Sequence, residues 1–142
     1  MMSDIARSSL QLTYDGAALA LQAAIAKARE INVPENIAVV DAGGNLLAFA
    51  RLDGARFLAQ FSAISKAQTA ASLHMATGEL PPQFGVDLAF ATGSRSINLP
   101  GGLPIVVDGQ VIGAIAASSG ADPDDIAIAG AGRDAVLAAL KP

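Results

Sequence analysis

The sequence predicts an α+β domain, a five-stranded antiparallel sheet with flanking helices. Three observations carry that prediction. Asp41-Ala42-Gly43-Gly44-Asn45 stands between two apolar runs of strand-forming character, and Asp108-Gly109 stands between two more. Three other segments keep an apolar period near that of a helix.

Ser9 to Leu12 reads as a short first strand. Thr13 follows at an N-cap position, with Asp15 in the first turn where the helix dipole favours negative charge. Ala17, Leu21, Ala24, Ile25, Ala28 and Ile31 then recur at helical spacing, and Pro34 ends that helix. The first hairpin runs from Asn36 to Leu52, its glycines supplying the positive φ of a tight connection. A second helix is predicted from Arg56 to Ala76, stopped by Gly78 and the Pro81-Pro82 pair. On it Phe57, Phe61, Ile64, Gln68, Ala71 and Met75 read as the core face. Arg56, Gln60, Ala63, Ala67, Ala70 and His74 read as a narrower groove wall. Residues 77–99 are punctuated by Pro81, Pro82, Gly85 and Gly93 and read as a long loop or a single-turn helix near Val86 to Ala91. Leu103 to Val107 and Gln110 to Ala117 form the second hairpin, joined by the favoured Asp-Gly turn. Asp122 as N-cap, with Pro123 at the first helical position, opens a last helix that ends near Leu140.

Length predicts a single domain over residues 1–142. With no cysteine there is no disulfide, no thiolate metal ligand, no cysteine nucleophile and no covalent haem attachment. A net charge of −4 and nine scattered basic residues supply no basic stripe, so nucleic acid is excluded as a partner. The start, Met1-Met2-Ser3-Asp4-Ile5-Ala6-Arg7, lacks the basic and apolar regions of a secretory signal, which makes the cytoplasm the expected compartment. No apolar run is long enough to span a bilayer, so no membrane partner is expected. Apolar residues still make up 52% of the chain, much of it alanine, and the surplus predicts a homo-oligomer joined through Ala-rich faces.

The run from Asp41 to Ala55, then Lys66-Ala67-Gln68-Thr69-Ala70-Ala71, Leu99 to Ile105 and Gly113-Ala114-Ile115 resembles the GlcG/HbpS family of small haem-binding-like proteins. The chain is also similar to the PduO C-terminal domain. The resemblance spans nearly the whole chain and implies a profilin-like or PAS-like sandwich. It further implies a small-molecule ligand, haem or a related tetrapyrrole by default, and a setting in corrinoid metabolism or a glycolate-type catabolic operon. The family's haem binders use histidines near the N-terminal region. This chain has none there, and the second expectation is a smaller anion such as a small carboxylate.

The residues themselves offer several candidate sites. His74, the single histidine, is a candidate axial haem ligand or general base, although a lone histidine near a helix C-terminus is more commonly a solvated residue complementing the dipole. Lys66 and Thr69 lie one turn apart. Lys66 can anchor a carboxylate or act as a base, or it can pair structurally with Asp41 or Asp53. Pro100-Gly101-Gly102, with Ser94 and Arg95 upstream, can cradle an anion with open backbone N–H groups, or the glycines can simply serve a turn. Ser118 precedes the last helix, whose N-terminus attracts anions. The candidate ligand-binding set is therefore Asp41, Lys66, Thr69, His74, Arg95, Pro100, Gly101, Gly102 and Ser118. Asp122, Asp124 and Asp125 are explained as charges at a helix start, and no metal site is predicted. There is no Walker loop, no GxGxxG and no GxSxG elbow. Three function classes follow: a small-ligand-binding protein; a proton-transfer enzyme (an isomerase, tautomerase or lyase) with Lys66, His74 or an aspartate as base and Arg95 with the glycine loop on a substrate carboxylate; or a structural assembly or sensor module.

Overall fold

The computed structural model describes residues 4–142, so the first three residues of the N-terminal reading lie outside it. Among the described residues four strands, not five, make the sheet. Their order is β2-β1-β4-β3, antiparallel throughout, from β1 (Asn36–Asp41), β2 (Leu46–Arg51), β3 (Gly102–Val107) and β4 (Gln110–Ser118). The strand predicted at Ser9 to Leu12 does not form. β1 occupies the edge of β4 from Ser118 to Gly113, so the N-terminal segment meets only its far end. A single backbone hydrogen bond, Leu12 N to Ile112 O at 2.9 Å, joins them there, and Leu12 plugs the core beside it.

Thr13 caps α1 (Tyr14–Glu30) as its sequence implies, with its hydroxyl accepting from Gly16 N at 3.1 Å. The helix stops at Ile31, four residues after Lys27, and Asn32 takes the left-handed conformation just beyond it. The stop therefore precedes Pro34. α1 and α4 (Asp122–Leu140) pack side by side on one face of the sheet, burying Ala20, Ala24, Ile25, Ile37, Val39, Ile105, Ile115 and Ile128. The N-cap of α4 is Ala121, one residue before the predicted Asp122.

α2 (Ala59–Leu73) covers the opposite face, and here the predicted orientation is reversed. Ala63, Ala67 and Ala70 are fully buried against Ala38, Ala114 and Ala116, whereas Phe57 and Phe61 remain 66% and 63% exposed. Small side chains on both surfaces let the helix lie close to the sheet. A Cβ added at Gly102 of β3 would sit 2.5 Å from Lys66 O, which shows how near the helix backbone comes. The bulky aromatic face has no room on that side and turns outward.

The stretch expected to be mostly loop contains a fourth helix, α3 (Pro82–Ala91), started by Pro82 at its first position. Only Gly85 of α3 is buried, under Asn98. The Asn98 side chain holds α3's approach by accepting from Leu80 N at 3.1 Å and donating to Leu80 O at 2.9 Å. The second hairpin is as predicted, with Asp108 and Gly109 both at positive φ as a type I′ turn requires. No described helix is long and apolar enough to cross a membrane.

Candidate functional site

The larger cavity, about 550 Å³, opens where the β1–β2 turn, the C-terminal half of α2 and the segment after α3 meet. Three side-chain arrangements build it. Asp41 Oδ1 accepts from Gly43 N at 2.9 Å and from Asn45 N at 3.0 Å, and both its oxygens accept from Asn45 Nδ2 at 3.1 Å. Gly44 completes the turn at φ +82°. Gln68 on α2 then donates to Gly44 O at 3.0 Å, fixing the rim against the helix. On the other side Thr69 Oγ1 accepts from Ile97 N at 3.0 Å and donates to Ser65 O at 2.7 Å, tying the 92–98 segment down. Leu73 and Leu88 supply an apolar wall, and Ser72, Thr92 and Ser96 line the same space. Arg95 is the one charged residue in the lining, and it makes no ion pair among the described residues.

Of the candidate residues, Thr69 and Arg95 share this cavity, and Asp41 shapes its rim without lining it. Pro100, Gly101 and Gly102 do not join them. They border a separate cavity of about 210 Å³ with Thr77, Leu103 and Ile126. Thr77 Oγ1 accepts from Gly102 N at 2.9 Å there. His74 terminates α2 in the left-handed conformation, exposed, and lines neither cavity. Ser118 is buried, with its hydroxyl 2.6 Å from that of Ser62.

Lys66 is 3% exposed and donates to Ala117 O at 3.0 Å and to Asp125 Oδ2 at 3.2 Å. Its partner is neither Asp41 nor Asp53, the two predicted. Asp125 therefore leaves the helix-start cluster with Asp122 and Asp124 and turns inward at 2% exposure, its other oxygen accepting from Gly120 N at 3.0 Å. Glu35, which the sequence reading did not single out, is fully buried beside this pair. Burial, reinforced by the adjacent Asp125, pushes its carboxyl up to about 9. A glutamate flanked by proline and a strand carries no local sign that its side chain will be enclosed by a helix ninety residues away.

A model of the family described as haem-degrading protein HbpS-like matches residues 12–134. The chain belongs to this HbpS-like family. A relative described as an uncharacterized 15.0 kDa protein in the dhaT-dhaS intergenic region of Citrobacter freundii is 37% identical over 119 residues, covering 80% of this chain and 84% of its own. GlcG of Escherichia coli K12 is 35% identical over 113 residues, covering 79% and 84%. Among solved structures, the ORFY protein of Klebsiella pneumoniae superposes with a TM-score of 0.89 at 33% identity, covering 97% of this chain and 98% of that one. A PduOC:heme complex superposes at 0.81 with 27% identity, covering 89% and 95%.

Haem fits neither cavity as a protein-ligated group. Haem iron takes an axial donor from histidine, methionine, tyrosine or cysteine, and none of these lines either space. The larger cavity presents instead one guanidinium, the hydroxyl residues Thr69, Ser72, Thr92 and Ser96, and a leucine wall. That donor set suits a small organic anion.

Proposed function

We propose that this HbpS-like chain is a cytoplasmic, homo-oligomeric binding protein for a small organic carboxylate, held at Arg95 in the cavity between α2, α3 and the β1–β2 turn. Arg95 carries the reading. It is an uncompensated planar cation among neutral donors, a geometry that matches a carboxylate in a bidentate fork. The cavity volume lies within the range of small-molecule sites, and Leu73 and Leu88 would contact an apolar body. Arg95→Ala is expected to weaken binding of a short-chain carboxylate at least tenfold in isothermal titration, with Arg95→Lys recovering part of it and the melting temperature unchanged. Equal affinity in Arg95→Ala would sink the assignment.

The family description and the PduOC:heme relative support haem as the second reading. Haemin titration with His74→Ala as control separates the two. A stoichiometric Soret shift abolished by that substitution favours haem; a weak, mutation-independent response leaves the carboxylate. A proton-transfer enzyme finds less support, because Lys66 is committed to Asp125 and His74 stands outside both cavities. The homo-oligomer is supported by the uncovered Phe57, Leu58 and Phe61 at the start of α2.

A further inference from the structure

We infer that a proton shared between Glu35 and Asp125 is a structural part of the joint between α2, β4 and α4, held there at neutral pH and lost in alkaline solution. This stands apart from the ligand cavity, whose lining includes none of these residues.

The argument is one of counting charges and donors. Glu35 just before β1, Lys66 on α2 and Asp125 on α4 are 0%, 3% and 2% exposed. Lys66 supplies the one positive charge, and its ammonium is directed to Asp125 and Ala117 O. Asp125 Oδ1 is directed to Gly120 N. Neither oxygen of Glu35 meets an N–H or a hydroxyl. The Asp125 carboxylate lies beside it over Gly120, and an ionised carboxylate accepts and cannot donate. Both carboxyl groups crowd over Gly120, where an added Cβ would collide with Glu35 Oε1 and with Asp125 Oδ1. Two ionised carboxylates in that space would face one ammonium, with one of them wholly without donors. A carboxylic acid facing a carboxylate removes the excess charge and supplies the missing donor in one step. The charged groups acting on Glu35 are Asp125 and Asp124 from α4 and Lys66 from α2; Lys66 alone favours ionisation, and burial outweighs it.

Glu30 and Glu79 are the only other glutamates, so glutamate labelled with carbon-13 at the side-chain carboxyl gives three signals from the full chain. Glu30 and Glu79 are exposed, and Glu30→Gln and Glu79→Gln assign their signals without disturbing the joint. At pH 7 the remaining signal is expected at the position of a protonated acid, moving only as the pH approaches about 9. A carboxylate position at pH 7 overturns the inference. Stability gives an independent reading. Between the ordinary value of 4.5 and about 9 the folded protein holds a proton on Glu35 that the unfolded chain has lost, so stability falls as pH rises through that window and levels off above it. Relative to Glu35→Gln, a permanently neutral side chain that can still donate, the wild-type folding equilibrium constant falls roughly tenfold per pH unit. A difference that does not change with pH overturns the inference as well.

Discussion

Lys66 shows how much one side chain's meaning depends on residues far away in the chain. Its position in Lys66-Ala67-Gln68-Thr69 is legible, and so is the possibility of an acidic partner. The partner itself, 59 positions on, is not, because nothing in the spacing distinguishes Asp125 from Asp41 or Asp53. The pair is buried on both sides, so removing the ammonium leaves Asp125 enclosed without its counter-charge. Lys66→Ala is expected to cost about 3–5 kcal/mol in urea denaturation. A loss below about 1 kcal/mol, the size of an exposed pair, would mean that water reaches the site. Asp41 differs again: its role is local, two to four residues ahead, and the Gly43-Gly44-Asn45 pattern that made it a candidate is the pattern its carboxylate organises.

Among the elements, those specified by local chemistry are the ones the sequence discloses. The Thr13 cap and the Asp108-Gly109 turn need only their neighbours, and both form as read. α2 was readable as a helix but not in its orientation. Hydrophobicity favours the phenylalanine face as core, whereas the sheet surface of Ala38, Ala114 and Ala116 accepts only a helix face equally small. That complementarity belongs to three elements at once and is invisible in any one of them. The missing fifth strand has the same origin, since whether Ser9–Leu12 finds a partner depends on how much of β4 is already taken by β1. The tight α2–β3 approach makes Gly102→Ala a direct test. Its methyl meets Lys66 O and the Thr77 side chain, so the substitution is expected to destabilise by about 1–3 kcal/mol, read as a lower urea midpoint. No loss would show that the helix can back away freely.

For the molecule as a whole, charge and exposed apolar area point to one face. The chain carries a net charge of −4, yet the stretch from Ala55 to Thr77 holds no acidic residue. Two copies of an acidic protein meet with least repulsion across such a surface, and Phe57, Leu58 and Phe61 lie on it, each more than 60% exposed. If the proposed oligomer uses this face, Phe61→Glu is expected to reduce the mass measured by size exclusion with light scattering to that of a single 14.2 kDa chain. A wild type already at that mass removes the oligomer. The cavity reading was partly legible too: Thr69 and Arg95 were named from sequence and meet, while the glycine loop expected to face them lies at the smaller cavity.

The four hydrogen bonds that the Asp41 side chain accepts within its own turn bear on affinity as well as on shape. The rim over the cavity is set during folding, and Gln68 clamps it from behind. A ligand arriving there has no loop to order, so little of its contact energy is lost to immobilising the protein. For the proposed carboxylate, binding by a few atoms can then be tight for its size, and Asp41→Ala is expected to lower affinity through a less favourable entropy in isothermal titration while leaving every direct contact in place.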